Sequence, residues 1–227
     1  MRLRKFIFIT SILLGAIQSA TAQNQLVTYP APKGAELMND FTVKVREAGK
    51  DWKSIDTYLV KVDEVRKTQH NVENASMSYF DFSGEVEVSV TFNHGTIQTG
   101  RIRPLSYGIT PSIEGNTMTF KLDRPRNLSV EVNGDIFHNL HLFANPLERW
   151  RPEPDGKDVI YFAPGVHHIG DYEIPSGKTV YLAGGAYVYG KLITEKDSEN
   201  IRIFGRGILD GRDNERGGLR TVELQFT

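Results

Sequence analysis

Cysteine is absent from all 227 positions. That excludes a disulfide scaffold, and it also excludes thiol catalysis and thiolate metal sites. Stability has to come from core burial. Charge of one sign is missing too: 27 Lys and Arg against 28 Asp and Glu leave a net charge of −1. Such a balance offers nothing to nucleic acid or to an anionic membrane surface. The chain also has no amphipathic helical stretch longer than a few turns, and no segment with the length and period of a crossover helix. Long apolar runs are absent except at the start, from Phe6 to Ile17. That run is too short for a permanent bilayer anchor.

The short run has its own meaning. Arg2, Arg4 and Lys5 precede it, and Ala20-Thr21-Ala22 follows. This is the pattern of a signal peptide over residues 1–22, with cleavage expected before Gln23. An uncleaved anchor is the alternative that the length argues against. The mature chain would hold 227 − 22 = 205 residues with a charge of −1 − 3 = −4, addressed to the periplasm or the exterior. No membrane span is expected after cleavage.

Residues 23–36 carry Pro and Gly and are expected to form a leader loop. From Phe41 the chain alternates. Strands are expected at Phe41–Glu47, Trp52–Asp63, Met77–Phe82, Val86–Phe92, Ile102–Ile109, Thr117–Leu122, Leu128–Val132 and Asn139–Phe143. Pro104 inside the fifth suggests an edge or a bulge. Turn signals separate the strands, and Asn133-Gly134 is the strongest of them. Short strands at this spacing predict a β-sandwich over 37–148. Residues 149–157, polar and with two prolines, are expected to form a stiff linker.

Residues 158–227 read differently. Val159–Gly170 and Thr179–Gly190 align without a gap at a shift of 20, matching Tyr161 to Tyr181, Ala163 to Ala183 and Gly165 to Gly185. Ile201–Gly211 is a third rung, its strand at a shift of 21 and its Gly207 at 22 from Gly185. A repeat this short means a solenoid. The Leu/Asn frame of leucine-rich repeats is missing, so the expectation is a right-handed parallel β-helix. Ile160, Phe162, Val180, Leu182, Ile201 and Ile203 should point inward, and Tyr161, Tyr181 and Arg202 outward. Gly165, Gly185 and Gly207 should occupy the sharp turns. Thr221–Phe226 alternates as a fourth rung, and the chain stops one residue later. The fold class expected is therefore all-β: a sandwich followed by the first coils of a β-helix, truncated, with further coils of the same protein as the missing partner.

Arg103-Pro-Leu-Ser-Tyr-Gly-Ile109 and Leu128-Ser-Val-Glu-Val-Asn-Gly-Asp-Ile-Phe-His-Asn-Leu-His-Leu-Phe-Ala-Asn-Pro146 carry a resemblance. They are similar to the N-terminal sandwich of family 49 glycoside hydrolases, the dextranase group, and to the front domain of bacterial family 28-like polygalacturonases. Val159-Ile-Tyr-Phe-Ala-Pro-Gly-Val166 and Gly205-Arg-Gly-Ile-Leu-Asp-Gly211 resemble the first coils of their catalytic β-helix. The resemblance covers roughly residues 37–226. It implies an exported enzyme that hydrolyses O-glycosidic bonds of a polysaccharide, polygalacturonan or dextran-like. The catalytic motifs of those families, Asn-Thr-Asp, Asp-Asp, Gly-His-Gly and Arg-Ile-Lys, occur nowhere here. No catalytic residue is carried over, and the chain alone is expected to be inactive. A carbohydrate-binding surface module, or a β-helical lyase or epimerase, are the alternatives.

Local candidates are few. Tyr161 and Tyr181 could stack on sugar rings or form a packing ladder against the sandwich. Trp150 is open to the same two readings. Asp213, in the charged loop of residues 212–218, could line a substrate groove. Asp210 reads as a turn residue that accepts backbone N–H groups. His167 and His168 are adjacent, so they point to opposite faces of a strand, and His138 and His141 read as packed, hydrogen-bonded residues. No metal site and no cofactor is called for.

Overall fold

The computed structural model describes residues 24–66, 69–212 and 221–225, and of residues 63–66 and 69–70 the backbone alone. The proposed signal peptide and Asp213 lie outside the described residues. The chain forms β1 (Gln25–Thr28), β2 (Phe41–Glu47), β3 (Lys53–Ile55), β4 (Tyr58–Arg66), β5 (Gln69–Ser83), β6 (Val86–Phe92) and β7 (Gly100–Arg103). Then come β8 (Ser112–Glu114), β9 (Thr117–Leu122), β10 (Arg126–Val132) and β11 (Asp135–Pro146). These make two sheets. One runs β1-β5-β11-β10-β7 with β4 also on β5, and the other runs β3-β2-β6-β9-β8.

Alternation drives the packing. Val43 and Val45 of β2, Val86, Val88 and Val90 of β6, and Met118, Phe120 and Leu122 of β9 line one face. They share a core with Phe80, Phe82, Val130, Leu140 and Leu142 of the first sheet. That is a sandwich. Asn133 and Gly134, at φ 55° and 82°, form the two-residue turn between β10 and β11, as their residue types demand. Pro104 follows β7, an edge strand. The expected leader loop holds a correction: Gln25–Thr28 is a strand, paired antiparallel with Phe80–Ser83.

The second stack is parallel throughout. β12 (Val159–Phe162), β14 (Thr179–Leu182) and β16 (Arg202–Gly205) form one sheet. β13 (Gly165–Ile174), β15 (Ala186–Thr194), β17 (Ile208–Asp210) and β18 (Val222–Glu223) form the other. Inside lie Phe162, Ile174, Val180, Leu182, Val188 and Leu192, with Ile160, Ile201 and Ile203 packed against them. This is a parallel β-helix, and the inward set is the expected one.

The register of the third rung differs. Thr179 pairs with Arg202 and Val180 with Ile203, a shift of 23 where 21 was expected. A two-residue slip keeps the same side chains inward, so alternation cannot detect it. The positive φ therefore falls at Gly205 (137°) and not at Gly207.

β5 joins the two stacks. Ser78 to Phe82 are all buried. Phe80 and Phe82 enter the sandwich core, while Tyr58 and Tyr79 meet Tyr187 and Tyr189 of the coils. Tyr29 stacks on Tyr79 with ring centroids 5.4 Å apart. A side chain at Gly184 would strike Tyr29 at 2.0 Å, so this turn must be glycine for the coil to dock. Asp81, fully buried, accepts Arg206 Nε at 2.7 and 2.8 Å and the Tyr29 hydroxyl at 2.9 Å.

Candidate functional site

Two outward rows on the coils collect the residues with chemistry. The first follows from strand register. Tyr161, Tyr181 and Phe204 are neighbours across β12, β14 and β16. Their ring centroids are 5.2 and 5.3 Å apart. Tyr181 is only 1% exposed, and its hydroxyl donates to both Glu148 carboxylate oxygens at 3.0 and 2.9 Å. Burial, then the Glu148 hydrogen bond and charge, push this phenol above its ordinary range. Tyr181 was expected as a substrate contact. The structure closes it beneath Glu148, between the rings of Tyr161 and Phe204. Tyr161 is half-buried and keeps part of its ring accessible.

The cover of Tyr181 is Glu148, the last residue of the expected sandwich, and the chain runs on from it into the expected linker of residues 149–157. It is bound to the coils. Arg151 Nε donates to Glu148 at 2.7 Å, and the Trp150 ring stacks on Phe204 at 5.4 Å and 28°. Sequence reasoning missed Phe204, because the expected register put Arg202 in its place, and missed Glu148 altogether.

The second row lies across β13, β15 and β17. His168 pairs in register with Tyr189, and Tyr189 with Asp210. The His168 and Tyr189 rings stack at 4.8 Å and 9°. Asp210 Oδ1 accepts the Arg212 backbone N–H at 2.9 Å, as expected of a turn residue. Its Oδ2 accepts the Tyr187 hydroxyl and Arg212 Nε, each at 2.7 Å. Arg212 Nη1 reaches Glu36. Burial alone would raise the Asp210 carboxyl, but hydrogen bonds from Arg212 and Tyr187 outweigh it and hold it below the usual carboxylate range. A glycosidic general acid needs the opposite shift. Both Asp210 oxygens are engaged, Oδ1 by the backbone of the turn and Oδ2 by Tyr187 and Arg212.

No protein-family model and no curated protein matches this sequence. One solved structure decides the fold. The chain is similar to Dex49A from Penicillium minioluteum. The TM-score is 0.59 at 18% identity, and the match covers 88% of this chain and 54% of that one. The chain thus spans about half the length of Dex49A. The likeness is one of fold, an all-β arrangement with a parallel β-helix.

Beyond the fold shared with Dex49A, the remaining candidates separate cleanly. His167 Nε2 contacts the Ala163 carbonyl at 2.7 Å, and its ring meets Phe162 edge-on, while His168 faces outward on Tyr189. The two are on opposite faces, as adjacency requires. His138 corrects an expectation. It is not packed in a core: its side chain is 48% exposed, with Nδ1 on Asp135 at 2.8 Å and Nε2 on Glu73 at 3.3 Å. Among the described residues no cluster of His, Asp and Glu could hold a metal ion. An open cavity of about 590 Å³ lies beside β2 and β3, lined by Asn39, Thr42, Ser54, Asp56 and Asn93 over Phe41 and Ile55.

Proposed function

We propose that this chain is the front part of an exported glycoside hydrolase that cleaves O-glycosidic bonds of a polysaccharide, polygalacturonan or dextran-like. One observation carries the reading: a sandwich sheet packed onto the opening coils of a parallel β-helix, in a likeness to Dex49A that spans 88% of the chain and so includes both stacks. In this reading the sandwich and first coils are scaffold. An inverting hydrolase needs one carboxyl to protonate the leaving oxygen and another, roughly 6.5–9.5 Å away, to activate water. Asp210 has its carboxyl held low, opposite to what a general acid needs, and both of its oxygens are taken up by Tyr187 and Arg212. The acid and base belong to coils that follow the third. Tyr161 is the residue of the first row that would reach a sugar, and the basic start with its Ala-Thr-Ala site would direct export.

Expression of the chain with the coding sequence that follows it tests the proposal. Products from dextran and polygalacturonate are followed as new reducing ends, and their anomeric configuration by NMR. Release of inverted sugars from one polymer is expected from the extended protein, and none from residues 23–227 alone. Unsaturated uronates would identify a lyase instead. An extended protein that binds without turnover would identify a binding module.

A further inference from the structure

Trp150 leaves 56% of its surface in solvent. A wet indole forgoes one of the largest burial gains any side chain offers. It is nevertheless held firmly. Phe204 stacks beneath it at 5.4 Å, Phe204 rests in turn on Tyr181, and Tyr181 on Tyr161. Just before it, the Glu148 side chain, 5% exposed, is fixed by Tyr181 and Arg151. Just after it, Pro152 is buried. One ring face is spent on Phe204, and the exposed remainder is pre-positioned, so binding to it would cost little ordering.

The surroundings say what it would bind. The exposed neighbours Arg149, Arg151, Glu153 and Asp155 are charged. Arg202, also exposed, stands two residues before Phe204 and so on the same face of β16. A protein partner wants a contiguous apolar patch. A single aromatic face within a rim of charged hydrogen-bonding groups matches a pyranose ring. The ring sets its C–H face on the indole and its hydroxyls on the rim.

We propose that Trp150 is a stacking platform for one pyranose ring of a polysaccharide, at the junction of sandwich and coils. The proposal rests on the polysaccharide-directed reading above, but it concerns binding and not turnover. A failed hydrolysis assay therefore leaves it standing, and a failed binding assay leaves the hydrolase reading standing. Neutral glucans and polyuronates share the pyranose face, so both are probed.

The other tryptophan, Trp52, lies under the Arg46 guanidinium at 4.3 Å and is replaced by Phe to isolate the signal. Emission of the W52F chain is titrated with isomaltotriose and with trigalacturonate. A saturable change with either is expected, with shielding of the indole from acrylamide by the bound sugar. A response to one sugar alone names the source. Trp150→Ala, checked by its melting transition, should raise Kd about tenfold or more, and Trp150→Phe should rise less. No saturable change with either sugar, or calorimetric affinity unaltered in W150A, overturns the proposal. If W150A does not fold, acrylamide shielding in W52F decides it.

Discussion

Asp81 shows how one residue ties the two stacks together. Its side chain is 1% exposed, and it faces Arg206, whose side chain is 20% exposed. Removing one member of a buried pair leaves the other charged and uncompensated, at about 3–5 kcal/mol. Asp81→Ala should lower stability by that amount in urea unfolding. Asp81→Leu combined with Arg206→Met should recover part of it. A loss under about 1 kcal/mol would mean that the pair behaves like a surface contact. Asp210 makes a different prediction, set by pH. Its folded carboxyl lies below the usual range. Its stabilising effect is therefore present above the unfolded value of about 3.9 and lost as pH falls through the lower folded value. The stability difference between the wild-type chain and Asp210→Asn should be flat from about pH 7 to 5 and shrink below about 4. A difference that grows on acidification would mean a raised carboxyl, and Asp210 would become a candidate proton donor.

Elements with strict alternation were legible in the sequence. β2, β6 and β9 begin and end where their patterns do, because each buries one face and wets the other. β1 was not. Its four residues show no pattern, and their partner Phe80–Ser83 lies far along the chain. The polar run of β5 from Gln69 to Ser76 was equally opaque, and it forms a strand because β4 pairs along it. In the coils the inward faces and the strand register of the first two rungs were readable, and the strand register of the third was not, since a two-residue slip preserves alternation. That slip hid the Trp150–Phe204 stack, and Tyr181 looked open because nothing in the sequence showed Glu148 folding over it. The register can be tested at the turn. A Cβ on Gly205 would meet the Leu182 carbonyl oxygen at 2.0 Å, at a φ of 137°. A Cβ on Gly165 would meet nothing nearer than 3.9 Å. Gly205→Ala should cost more than the 1–3 kcal/mol or so of backbone strain alone, and Gly165→Ala about that strain. Equal losses in thermal melts would argue for the register at a shift of 21.

For the whole molecule, the sheet containing β5 is covered on both faces, by the second sandwich sheet on one side and by the coils on the other. Tyr58 packs on Tyr187, Asp81 pairs with Arg206, and the Gly185 N–H donates to the Tyr79 hydroxyl at 3.2 Å, so the coils cover this face of β5. Neither stack can therefore ignore the loss of the other. The expected outcome is a single calorimetric transition for the intact chain, with calorimetric and van't Hoff enthalpies in agreement. Residues 24–148 alone retain the sandwich core of Val43, Phe80, Val88 and Leu140, and should still fold. They would bare the tyrosine face, melt at lower temperature and bind a hydrophobic dye that the intact chain excludes. Asp81→Ala in the intact chain should move it toward the same behaviour by loosening the junction first. Two well-separated transitions in the unmodified chain would show that the junction couples nothing, and that the sandwich and the coils are independent units joined only by the segment that carries Trp150.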